Sequence, residues 1–179
     1  MRPPTPSQTV GPYVALAMRW PADGRFVVPD GTPGAFWIRG RLLDGAGHPV
    51  DDGVVETWQR DAEGQFPAAD EATFRGFGRS LTDREGSWAV HTVKPGRVAD
   101  ASGELAAPHV SIVVFARGLL KPVRTRMYFA DEAVANDADG VLRSIDQPRR
   151  RTLIAQPTAE GYRFDLHLQG AEETVFFDV

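Results

Sequence analysis

Four histidines, His48, His91, His109 and His167, are the side chains best suited to metal binding or to proton transfer near neutral pH. His48 sits in a Gly-His-Pro turn and His167 on the polar side of an alternating run, so surface positions account for both. His109 opens an apolar run, His109-Val110-Ser111. Alternate residues of a strand share a face, so an imidazole two places on would complete a metal-binding pair. The residue there is Ser111, whose neutral hydroxyl is a poor substitute, and His109 on its own reads as a hydrogen-bonded structural histidine.

Other chemistries find less support. A nucleophilic serine needs an activating base, and no Gly-x-Ser-x-Gly turn occurs. The stretch Phe74-Arg75-Gly76-Phe77-Gly78-Arg79 has only two glycines, follows no expected strand and opens no helix, so it is not a phosphate or dinucleotide loop. Asp51, Asp52 and Glu71 read as exposed turn acids. The absence of cysteine excludes disulfides, Cys-bound zinc, iron–sulfur clusters and thiol nucleophiles. A net charge of −4 lacks the basic footprint of a nucleic-acid binder.

The elements that carry these residues are short. The 179 residues suit a single domain, and 18 glycines with 14 prolines weigh against long helices. Strands are expected at Phe36–Leu43, Val54–Gln59, Ser87–Val93, His109–Ala116, Thr125–Phe129, Tyr162–Leu168 and Thr174–Phe177, with the first two paired as neighbours. In Tyr162–Leu168 the even positions are apolar and the odd ones polar, which gives that strand one wet face. Seven strands separated by turn signals predict an all-β fold, an antiparallel β-sandwich. Helix is expected only around Asp131–Asn136 and Arg149–Ala155, and long connections at 60–80 and 94–108 are the natural places for function. Residues 1–34 are Pro-rich and read as an extended arm, leaving 35–179 as the sandwich domain. The longest apolar run, Val110–Ala116, is far too short to span a membrane, and Met1-Arg2-Pro3-Pro4-Thr5-Pro6 lacks a signal-peptide core, so a cytoplasmic protein is expected.

Several motifs in order, Thr5-Pro6-Ser7-Gln8-Thr9-Val10-Gly11-Pro12-Tyr13, Val55-Glu56-Thr57-Trp58-Gln59, His91-Thr92-Val93-Lys94-Pro95-Gly96, Ala107-Pro108-His109, Phe115-Ala116-Arg117-Gly118, Met127-Tyr128-Phe129 and Tyr162-Arg163-Phe164-Asp165, resemble the intradiol ring-cleaving dioxygenases over nearly the whole chain. The resemblance implies a β-sandwich, in agreement with the strand pattern. It also implies a ferric ion held by two tyrosines and two histidines, on which a catecholate reacts with O₂ and the ring opens between its hydroxyl carbons. Carried over, the first tyrosine position falls on Phe66, the second on Val98 or its neighbour Arg97 depending on a gap, and the histidines on His109 and Ser111. One ligand of the set survives, so Fe(III) is expected on a homologous partner chain and not here.

In the heteromeric members of the family, which cleave protocatechuate with O₂, the iron-free chain lends residues to the rim of the iron-bearing chain's site. The resemblance implies that Thr9, Gly11, Pro12, Tyr13 and Arg117 are such substrate-binding contributions, with Arg117 directed at the carboxylate of an aromatic acid. It implies no catalytic residue within this chain, a hetero-oligomer of paired chains and a role in aromatic catabolism, and the arm of residues 1–34 is expected to dock on the partner. Two other readings are an autonomous catechol-type dioxygenase, against which the missing tyrosines speak, and a stand-alone β-sandwich binding module, against which the retained arm and Arg117 speak.

Overall fold

The computed structural model describes residues 6–11, 14–18, 22–67, 73–99 and 103–178. Three turns of one design, Asp-x-x-Gly-x, recur along it: Asp44–His48, Asp61–Gln65 and Asp83–Ser87. In each, one Asp carboxylate oxygen accepts the N–H groups two and four residues on, at 2.7–3.0 Å. The Gly takes φ of 72–79°, where a side chain is disfavoured.

The strands are β1 (Phe36–Leu43), β2 (Val54–Trp58), β3 (Phe77–Leu81), β4 (Ser87–Thr92), β5 (Val98–Ala99), β6 (Leu105–Ala106), β7 (His109–Phe115), β8 (Val123–Phe129), β9 (Ile154–Thr158), β10 (Gly161–Arg163) and β11 (Leu166–His167). One nearly closed sheet runs β11-β1-β10-β9-β8-β7-β2-β3, with β4 also on β1, and β5 pairs with β6 apart from it. Ile38, Leu42, Trp88 and Val90 from the β1–β4 layer meet Val55, Val110, Ile112, Val114, Met127 and Phe129 from the β2–β7–β8 layer in the main core. A smaller core packs Tyr128, Ala107 and Leu153 against the helical segment, where helices Ala133–Ala138 and Gly140–Arg143 supply Ala135 and Leu142. Among the described residues no helix is long and apolar enough to cross a membrane.

The all-β architecture agrees with the sequence, and several details differ. β1 and β2 are not paired: β1 takes β4, β10 and β11, and β2 takes β3 and β7. The chain changes layer at Gly53, where a Cβ would sit 2.4 Å from the Leu42 side chain. The pairing is mixed, since β1–β10, β1–β11 and β8–β9 are parallel. The expected strand Tyr162–Leu168 is two strands because the Asp165 carboxylate takes the Arg41 N–H (2.9 Å), replacing a ladder carbonyl. Residues 174–177 form no strand, for the Thr174 hydroxyl accepts the His167 N–H (3.0 Å) and only Phe177 bridges to Arg124.

β3 lies inside the connection expected at 60–80; its Gly78, where a Cβ would meet Thr57 and Val90 at 2.8 and 2.9 Å, breaks the apolar pattern. The expected helix Arg149–Ala155 gives way after Leu153 to β9, which pairs with both β8 and β10. Within the segment read as an arm, Val27 and Val28 are buried in the main core and the Val27 N–H donates to the His91 carbonyl (2.9 Å).

Candidate functional site

The four positions Phe66, Val98, His109 and Ser111 line one cavity of about 240 Å³. Sequence places them in three separate segments, and the local structure explains how they meet. His109 and Ser111 are alternate residues of β7 and face the same side, while Val110 and Ile112 between and beyond them are buried. Phe66 follows the Asp61–Gln65 turn, and Val98 follows Lys94-Pro95-Gly96. These two loops touch because Gly96 has no side chain: its N–H donates to the Asp61 carbonyl (2.8 Å), and a Cβ there would lie 2.5 Å from the Ala62 oxygen. The Lys94 ammonium fixes the second loop from outside by donating to Asp131 (2.6 Å) and Glu132 (3.0 Å), and Tyr162 donates its hydroxyl to Asp131 (2.9 Å). Burial works against the Lys94 charge, and the Asp131, Tyr162 and Glu132 side chains outweigh it, so its pKa is raised.

Val98 and Arg97 point in different directions. Val98 lines the cavity, whereas the Arg97 guanidinium donates to the carbonyls of Leu105 and Ala106 (3.0 and 3.3 Å). His109 hands Nδ1 to the Ala107 carbonyl (2.8 Å), which places the ring proton on Nδ1. Burial lowers the His109 pKa, and the nearby Arg126 and Arg60 lower it further, so the imidazole is neutral at pH 7. Buried Asp139 secures the start of β7: one carboxylate oxygen accepts the Ala107 N–H (2.9 Å), the other the Val141 and Leu142 N–H groups (3.0 and 2.9 Å) and the Tyr128 hydroxyl (3.2 Å). Burial pushes the Tyr128 phenol up to about 12.

Three polar residues not singled out from sequence as site residues also line the cavity: Gln59, Arg60 and Arg126. Gln59 donates to the carbonyls of Val93 and Arg60 (2.9 and 3.1 Å) and accepts from the Thr92 hydroxyl (2.7 Å), tying the ends of β2 and β4. Arg60 lies over the Phe66 ring, 4.0 Å from its centroid. Arg126 is the cross-strand partner of Ser111, which in turn opposes Trp58, so Trp58, Ser111 and Arg126 form a row across β2, β7 and β8. The only prior signal for Arg126 is alternation with buried Thr125 and Met127; its place beside Ser111 depends on strand register.

A ferric ion does not fit these residues. Phe66 and Val98 have no lone pair to donate, which leaves one imidazole and one neutral hydroxyl of the four positions. Among the described residues no three His, Asp or Glu side chains group as a metal site.

Thr9, Gly11 and Arg117 lie together elsewhere. The Thr9 hydroxyl accepts the N–H of Gly118 (3.0 Å) and, more weakly, that of Gly11 (3.4 Å), which seats the arm on the turn after β7. Gly11 and Gly118 have φ of 71° and 90°. Arg117 is exposed and held by Asp52 (3.1 Å) and Asp51 (3.8 Å), so the two turn acids orient it. Pro12 and Tyr13 lie outside the described residues. From His109 to Arg117 the chain runs the length of β7, roughly 25 Å at the strand rise. Arg117 and the cavity therefore occupy opposite ends of the sandwich.

Comparison with known proteins identifies the family. The family model described as Dioxygenase matches residues 25–170. The chain is 44% identical to the protocatechuate 3,4-dioxygenase alpha chain of Pseudomonas putida, covering 98% of this chain and 96% of that one. It is 40% identical to the alpha chain of Burkholderia cepacia (98% and 97% covered) and 31% identical to the beta chain of the same organism (76% and 65%). Among solved structures, the dioxygenase domain of a carbohydrate-binding fusion protein from Streptomyces sp. SirexAA-E superimposes with a TM-score of 0.62 at 25% identity, over 94% of this chain and all of that one. The chain belongs to the intradiol dioxygenase family.

Proposed function

We propose that this chain is the iron-free alpha subunit of a heteromeric protocatechuate 3,4-dioxygenase. It pairs with a homologous beta chain that holds Fe(III), and the assembly opens the ring of protocatechuate with O₂ to give 3-carboxy-cis,cis-muconate, both oxygen atoms entering the product. The observation that carries this reading is the convergence of the four ligand positions on one cavity in which two of the four side chains have no donor atom. The identity to two alpha chains over nearly their whole length supports the assignment to that subunit.

The chain's own contribution comes from the other end of β7. A substrate carboxylate presented by the partner's site would meet the Arg117 guanidinium, always charged and forked for a carboxylate. Asp51 and Asp52 limit the rotamers of Arg117, which lowers the entropy lost when it binds. Thr9 and Gly11, seated on Gly118, bring arm backbone to the same rim. Because Arg117 and this chain's cavity are at opposite ends of the sandwich, a ligand held by Arg117 lies outside that cavity, as a site shared between two chains requires.

Arg117→Ala in the assembled enzyme tests this. A lost partly solvated carboxylate contact is worth about 1.5–3 kcal/mol, so kcat/KM for protocatechuate should fall about tenfold or more with the iron content unchanged. Unchanged kinetics would remove Arg117 from the substrate site.

A further inference from the structure

The cavity at the lost ligand positions is cationic. Arg60 and Arg126 both line it; Arg60 donates to the Gly64 carbonyl (3.1 Å) and lies over Phe66, and among the described residues neither guanidinium is paired with a carboxylate. Their neighbour His109 is hydrogen-bonded through Nδ1 to a carbonyl and adds no negative charge. A half-buried guanidinium without a counterion is costly, and an anion placed between two of them gains charge-assisted hydrogen bonds. The remaining walls include Trp58 and Phe66 on the open side and Val98 deeper, beside the polar side chains Gln59 and Ser111. At about 240 Å³ the space is smaller than the roughly 300–1,000 Å³ of pockets that take drug-sized ligands.

We propose that this cavity binds a small single-ring aromatic carboxylate, its carboxylate on Arg126 and Arg60 and its ring against Trp58 and Phe66. Replacement of metal-ligand types by Phe66, Val98 and Ser111 leaves Arg60 and Arg126 as the charged groups of the cavity, so the same position in the fold selects an anion. The site needs no iron and no vicinal diol, and it uses neither Arg117 nor the arm. Its failure is thereby separable from failure of the subunit reading.

The test is calorimetric titration of the full chain with benzoate, which carries the ring and the carboxylate and no hydroxyl. Saturable binding with Kd of about 1 mM or tighter is expected, weakened about tenfold or more by Arg126→Gln and less by Arg126→Lys, which keeps the charge without the fork. Phe66→Ala, at an exposed position where folding is not at stake, should also weaken it. Arg151→Gln, at an exposed arginine paired with Glu172, should leave it unchanged. No saturable heat up to about 10 mM benzoate would overturn the proposal. So would equal binding of acetate, equal weakening by Arg151→Gln, or full binding by both Arg126→Gln and Phe66→Ala.

Discussion

Asp139 is the side chain on which the cavity end of β7 depends, and nothing in its local sequence marks it. Its carboxylate takes four donors, from Ala107, Val141, Leu142 and Tyr128, in a fully buried setting. Asp139→Ala leaves those donors without a partner, so urea unfolding should show a loss of about 3 kcal/mol or more, and Asp139→Asn a smaller one. The residues named from sequence fared unevenly for a related reason. His109 and Ser111 were legible as a pair because alternation along one strand is local. Arg126, Arg60 and Gln59 were not, since what places them is the register of β2, β7 and β8 and the approach of two loops. Asp51 and Asp52 read as ordinary turn acids until the fold set Arg117 against them.

At the scale of elements, β-branched and aromatic runs between turn residues located β1, β2, β4, β7 and β8 to within about two residues. Partners were less legible, because pairing is fixed by the whole core: β1 and β2, adjacent in sequence, sit in opposite layers. Where a polar side chain takes over a backbone partner, as Asp165 and Thr174 do, an apparent strand breaks. β3 and β9 were hidden by Gly78 and by helix-compatible residues before Ile154. The three Asp-x-x-Gly-x turns are set by local residues, and the middle one presents Phe66 to the cavity. Its contact with the Lys94–Gly96 loop depends on the missing Cβ of Gly96. Gly96→Ala should force the two loops apart, costing about 2 kcal/mol or more in thermal or urea unfolding; full stability would contradict the close approach.

The whole molecule has two distinct ends. One holds a cavity where an iron site of the family kind lacks its donors, and the other presents Thr9, Gly11 and Arg117 at the surface. A chain so divided is suited to complete another chain's site, and the separation of the two ends follows from the run of β7, which the motifs alone do not reveal. Under the proposed function, catalysis requires a homologous, iron-bearing partner. The most direct measurement is oxygen uptake with protocatechuate by this chain purified alone and by the same chain co-purified with a beta chain, iron being assayed in each. Activity and stoichiometric iron in the complex alone are the predicted result. Stoichiometric iron and turnover in the lone chain would contradict it.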